Sequence, residues 1–179
     1  MTVKNSPQKS TMENSTIIFL IGLACFSRLI PHWPNFTAIG GMALFAGAQI
    51  SSKRVAILIP LAAMLLSDFV LGFHSTMVFV YGAIALVALL GHWGWQRWQW
   101  KGLAGMSLLS SLLFFVITNF GVWLTGGYEH SWQGLMTCFA MAIPFFQAQV
   151  SGDLLFTGVI FGAFAAIQIF SRRFIAPTN

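Results

Sequence analysis

The chain has 179 residues, 57% of them hydrophobic and only 7% charged, where a soluble domain carries roughly a quarter charged residues. Apolar runs recur along almost the whole length, which excludes an anchored soluble domain and predicts an all-α, polytopic membrane protein. The net charge of +5 fits lysines and arginines at membrane borders better than a nucleic-acid partner.

Residues 1–14 are polar and lack an apolar run, so they predict a disordered tail ahead of a single membrane domain over residues 15–173 and a short tail over 174–179. Lys4 and Lys9 before an apolar run look like the start of a signal peptide, and Leu23-Ala24-Cys25 looks like a lipoprotein cleavage site. Gly22 stands where such a site has a larger aliphatic residue, and the apolar run continues past Cys25, so the expectation is an uncleaved first helix from Thr16 to Ile30. Cys25 and Cys138 lie in apolar segments without paired spacing, the pattern of small buried hydrophobes rather than of a disulfide or a zinc site.

Arg28-Leu29-Ile30-Pro31-His32-Trp33-Pro34-Asn35-Phe36 follows. Pro31 and Pro34 remove backbone donors and push their predecessors away from helix, so His32 and Trp33 are held on a stiff connection. The second apolar segment, Phe36 to Ile50, is rich in Gly and Ala. Both segments are short for a hydrocarbon layer of ~30 Å, which needs ~20 residues. The proline-rich turn is thereby expected below the membrane surface, where irregular backbone must be covered by protein or line a cavity.

A polar turn at Ser51-Ser52-Lys53-Arg54 leads to a third segment, Val55 to Phe73, with Asp68 near its far end. A fourth runs from Thr76 to Gly91 and ends in a stretch with four tryptophans, Arg97 and Lys101, an interfacial belt. A fifth runs from Leu103 to Leu124 and contains Asn119; the turn after it carries Tyr128, Glu129 and His130. Residues 132–147 are apolar but short and contain Pro144, and the last segment runs from Leu154 to Phe170. Its Gly158-x3-Gly162-x3-Ala166, like Ala43-x3-Gly47, is a small-residue face suited to close packing within the bundle.

Six spans with both termini cytoplasmic place eight of the nine cations inside, Arg28 being the exception. Residues 132–147 then become a short re-entrant or interfacial helix in the last outer loop. The same topology gathers Arg28, His32, Trp33, Asn35, Asp68, His74, Tyr128, Glu129, His130, Trp132 and Asp153 on the outer side. An Arg28–Asp68 pair and a capping Asp153 would explain three of these structurally. A solute-binding cavity open to the outside explains why several loops bring polar groups to one side, since ionisable residues within spans are costly.

Residues 28–40 (Arg-Leu-Ile-Pro-His-Trp-Pro-Asn-Phe-Thr-Ala-Ile-Gly), Ala43 to Ala48, Pro60 to Gly72, Thr118 to Trp123 and Gly152 to Phe156 resemble a group of small bacterial transport proteins. That group looks like the substrate-binding S components of energy-coupling-factor (ECF) transporters, closest in type to small solitary cobalamin components. The resemblance implies six helices in the bacterial cytoplasmic membrane and a vitamin or metal held near the outer face. It extends to a histidine in the first outer loop and an aspartate late in the third helix, matched by His32 and Asp68. Those proteins also use a cysteine as cobalt ligand near the third outer turn, whereas no cysteine lies between Cys25 and Cys138 here. His32 is then the axial cobalt ligand to consider.

The leading expectation is a non-enzymatic, solute-binding subunit for micronutrient uptake, with cobalamin as transported ligand and no cofactor of its own. Its site would comprise Arg28, His32, Trp33, Asn35, Asp68, His74, Asn119, Tyr128, Trp132 and Asp153. The sequence contains no Gly-rich phosphate loop with Lys-Ser/Thr, so active uptake requires a coupling membrane subunit and ATPases. The alternatives are a nickel, cobalt or zinc permease component using His32, His74, His130, Asp68 and Glu129, and a structural subunit without ligand. An intramembrane metalloprotease would want His-Glu-x-x-His, which is missing.

Overall fold

The computed structural model describes residues 19, 23, 26–30 and 33–174, with the side chains of 171–174 left aside. His32, Cys25, most of the first apolar segment, the expected N-terminal tail and residues 175–179 of the expected C-terminal tail lie outside the described residues. Among the described residues, the chain forms α1 (Ile39–Gln49), α2 (Lys53–Leu71), α3 (Met77–Trp98), a 3₁₀ turn (Gln99–Gly102), α4 (Leu103–Leu124) and α5 (Trp132–Phe174).

Helix α1 is the centre of the bundle. Asn35 takes a left-handed φ of 64° just ahead of it, and Ile50 leaves it in extended conformation. Ten of its eleven residues are buried. It packs chiefly on α3, and also on α2, α4 and α5. The contact with α3 is close because two glycines face backbone. A Cβ on Gly47 would fall 1.9 Å from the Ala88 carbonyl oxygen, and one on Gly91 would fall 2.2 Å from that of Leu44. Ala43, fully buried, belongs to the same small-residue surface.

Helix α2 ends at Gly72, whose φ of 96° suits a residue without a side chain. A short turn then returns the chain into α3. Helices α3 and α4 fold back on each other around the 3₁₀ turn. Gly94 meets Met106 near that turn, and Gly121 meets Phe79 at the far end. Helix α5 lies along α4 in the opposite sense, with Cys138 beside Asn119, Gln149 beside Ser111 and Thr157 beside Ser107.

Three stretches are long and apolar enough to cross a membrane: Lys53–Leu71, Met77–Leu124 and Trp132–Phe170. Large apolar side chains such as Leu58, Phe69, Val78, Leu112, Ile143 and Val159 are exposed along them, which suits lipid rather than water. The chain is a multi-pass, all-α membrane protein. The expected six transmembrane helices, with two cytoplasmic termini and a separate re-entrant helix, are not what the described residues form.

The corrections have physical causes. The second apolar segment makes a helix of 11 residues, about 16 Å at ~1.5 Å per residue, and is a buried half-length element. The fourth and fifth segments are separate helices, α3 and α4, but the tryptophan-rich stretch stays helical into a tight 3₁₀ turn, so the two count as one continuous apolar stretch. Residues 132–147 and the last segment fuse into the single 43-residue α5, with Pro144 inside it. The polar residues between them, read as a break, are held by the helix and its neighbours: Ser151 donates to the Gln147 carbonyl, and Gln149 and Asp153 bond to α4. Asp153 is accordingly an interior residue of α5 and not its cap. Gly158 and Gly162 have nothing within 4 Å of a built Cβ, so their face is not used for packing among the described residues. The six-span assignment of inner and outer loops falls with the span count.

Candidate solute-binding cavity

Where α1 begins, the other helices leave a cavity of about 290 Å³. Asn35, Thr37, Ile39 and Gly40 form its wall from the proline-rich turn into α1, Met64 and Leu71 from α2, and Val80, Ile84 and Val87 from α3. Ser110 and Phe114 of α4, Gln149 and Asp153 of α5, Arg28, and His74 of the α2–α3 turn complete it. Val80 to Val87 spans about 10 Å of helix at ~1.5 Å per residue, so the cavity runs deep between the helices. Exposed Asn35 and His74 mark one end, and buried Gln149 and Asp153 mark the other. Irregular backbone at 33–38 thus adjoins a cavity.

Two polar assemblies contribute to its lining, one through Arg28 and the other through Gln149 and Asp153. In the first, the Arg28 guanidinium lies 2.8 Å from an Asp68 carboxylate oxygen, and it also donates to the Ser67 hydroxyl and the Met64 carbonyl. The Tyr81 hydroxyl donates to the other Asp68 oxygen at 2.7 Å. Asp68 is 1% exposed. Its charge is therefore matched by a cation and a hydroxyl, which is what a carboxylate in an apolar bundle needs.

The second assembly joins α4 to α5. The Ser111 hydroxyl donates to Asp153 Oδ2 at 2.6 Å. The Gln149 amide nitrogen donates to the Ser111 carbonyl at 3.2 Å and stands 3.5 Å from Asp153 Oδ2. Asp153 also lies against the first turn of α1, so close that a Cβ on Gly40 would fall 2.0 Å from its Oδ1. Glycine at position 40 is what lets the carboxylate reach the helix start, where backbone dipoles favour negative charge.

The model of one family, the Family of unknown function (DUF6580), matches residues 8–176. The chain belongs to this family. No curated protein and no solved structure matches it. Every residue lining the cavity falls inside the DUF6580 match.

Of the residues expected at a site, Arg28, Asn35, His74 and Asp153 line the DUF6580 cavity, and Asp68 stands behind Arg28 as its ion-pair partner. Trp33 and Trp132 are largely exposed and line none of it. Asn119 donates back to the Phe115 carbonyl within α4, and Tyr128 is half-buried in the α4–α5 loop. His32 is outside the described residues. His74 bonds the Thr76 hydroxyl, and His130 bonds the Trp123 carbonyl and packs on its ring. The described residues include no group of three or more His, Cys, Asp or Glu side chains able to hold a metal ion.

Sequence reasoning missed Tyr81, Ser110, Ser111 and Gln149. A signal was available: Gln149-x3-Asp153 sits at one-turn spacing on a helix, and Ser107, Ser110 and Ser111 at i, i+3 and i+4 form a polar stripe in an otherwise apolar run. Polar stripes inside membrane helices face one another because lipid offers no partner.

Proposed function

We propose that the chain is the solute-binding membrane component of an uptake system in the bacterial cytoplasmic membrane, with a vitamin or related micronutrient held in this cavity. The observation that carries the reading is the cavity itself: about 290 Å³ between packed helices, with apolar walls and a few convergent polar groups. Small-molecule sites have this construction, typically with ~300–1,000 Å³. Binding, not catalysis, is the role proposed, and energy for uptake would come from a coupling membrane subunit and ATPases.

Cobalamin is the solute favoured by the resemblance to S components, with His32 as axial ligand to cobalt. A corrin ring with its nucleotide arm exceeds the cavity, so cobalamin would be held partly at the Asn35–His74 end. A smaller vitamin fits whole. The test is native mass spectrometry and an absorption spectrum of the detergent-purified protein from cells supplied with cobalamin. A corrinoid spectrum kept by the wild type and lost in His32→Ala supports cobalamin. A different small solute retained in the cavity supports the binding role with another ligand. No retained solute, together with micronutrient uptake unchanged in cells lacking the chain, overturns the reading.

A further inference from the structure

The inner end of the cavity is lined by Gln149 and Asp153, and one polar atom of Gln149 has no hydrogen-bond partner. Gln149 is 5% exposed. Its amide nitrogen faces two acceptors, the Ser111 carbonyl and Asp153 Oδ2, which fixes the amide orientation. Its oxygen, Oε1, is buried with no partner. The other such atom among the described residues is Gln49 Nε2, and Gln49 does not line the cavity. A buried acceptor left empty is costly, and native structures rarely leave one without purpose.

Charge points the same way. Arg28 and Asp68 neutralise each other at one wall. Asp153, 5% exposed, has a hydroxyl and an amide as partners but no cation within salt-bridge distance among the described residues. The start of α1 supplies partial positive charge of about half an elementary unit, short of a full counter-charge. The ionisable groups lining the cavity are Arg28, His74 and Asp153, and with Arg28 committed to Asp68 the balance is negative.

Resting on the solute-binding reading above, we infer that the inner end of the cavity recognises an organic cation with at least two N–H donors, of the amidinium or ammonium class. One N–H is accepted by Gln149 Oε1, and the positive charge sits against the Asp153 carboxylate. The aromatic and aliphatic walls (Phe114, Ile84, Val87, Met64) would cover the carbon body of such a ligand.

The experiment is binding of three molecules of matched shape to the full-length protein in detergent, read by calorimetry: benzamidine, benzamide and benzoate. Benzamidine is expected to bind about tenfold or more tightly than benzamide, the gain from charge-assisted hydrogen bonds, and benzoate not to bind. Asp153→Asn and Gln149→Leu, checked for monodispersity and helix content, should each weaken benzamidine about tenfold and narrow its advantage over benzamide. The wild-type comparison needs no variant to fold. Equal affinity for benzamide, a preference for benzoate, or no benzamidine binding overturns the inference. A retained natural solute without an N–H cation does so too, while leaving the solute-binding reading intact; absence of any retained solute with unchanged uptake removes both.

Discussion

At Asp68 a carboxylate is held in an apolar bundle by Arg28, with Ser67 and Tyr81 completing the set. Removing one partner of such a pair strands the other's charge, whereas removing both leaves only a packing problem. Arg28→Met is expected to destabilise the protein by on the order of 3 kcal/mol, because Asp68 would keep only the Tyr81 hydroxyl. Arg28→Met with Asp68→Leu should recover much of that loss. Thermal unfolding in one detergent measures both, and a double variant no better than the single would show that the pair acts through packing alone. The Gln149–Asp153 assembly differs, since both residues line a cavity and neither has a salt-bridge partner among the described residues. There, the effect of substitution should appear in ligand affinity.

The central element is α1, whose contact with α3 is set by backbone rather than by side chains. Gly47 and Gly91 each face a carbonyl oxygen of the other helix, and a backbone group cannot swing aside as a side-chain tip can. Gly47→Ala or Gly91→Ala must therefore push the helices apart, at a cost of about 1–3 kcal/mol for overpacking. Gly82 and Gly105 are also helical, but nothing lies within 4 Å of a Cβ built on them. Alanine there should be neutral or stabilise by up to about 1 kcal/mol, through helix propensity alone. Melting points of the four variants under one condition check the contrast. If all four behave alike, close approach does not govern this interface.

For the whole molecule, α2 gives the clearest crossing. Its 19 residues measure about 28 Å, close to the ~30 Å hydrocarbon layer, and it runs from the cationic Lys53-Arg54 turn to the Gly72–Ser75 turn. The return into α3 is short, and α3 carries Arg97 in its last turn, with Lys101 in the 3₁₀ turn beyond it. By the positive-inside bias, the Lys53–Arg54 end of α2 is expected on the cytoplasmic side. In a background with Cys25→Ser and Cys138→Ser, Ser75→Cys should react with an impermeant maleimide added outside intact cells. Ser52→Cys should react only after the membrane is opened. Labelling of both from the same side would mean that α2 does not cross.

Composition and apolar runs alone were enough to make this a multi-pass, all-α membrane protein, because nothing but lipid tolerates so many uncharged helical faces. The Arg28–Asp68 pairing was also legible, since an isolated charge of each sign in neighbouring apolar segments has few other places to go. The number of spans was not. Hydropathy counts apolar stretches but cannot tell a helix that crosses lipid from one buried by protein, and α1 is of the second kind. Nor could it separate a loop from polar side chains satisfied across a helix interface, which is how residues 148–153 passed for a break in what is one continuous α5. The cavity belongs to tertiary structure for the same reason. Ser111 lies far in sequence from Gln149 and Asp153, and their meaning depends on which partners each one finds and which atom is left without one.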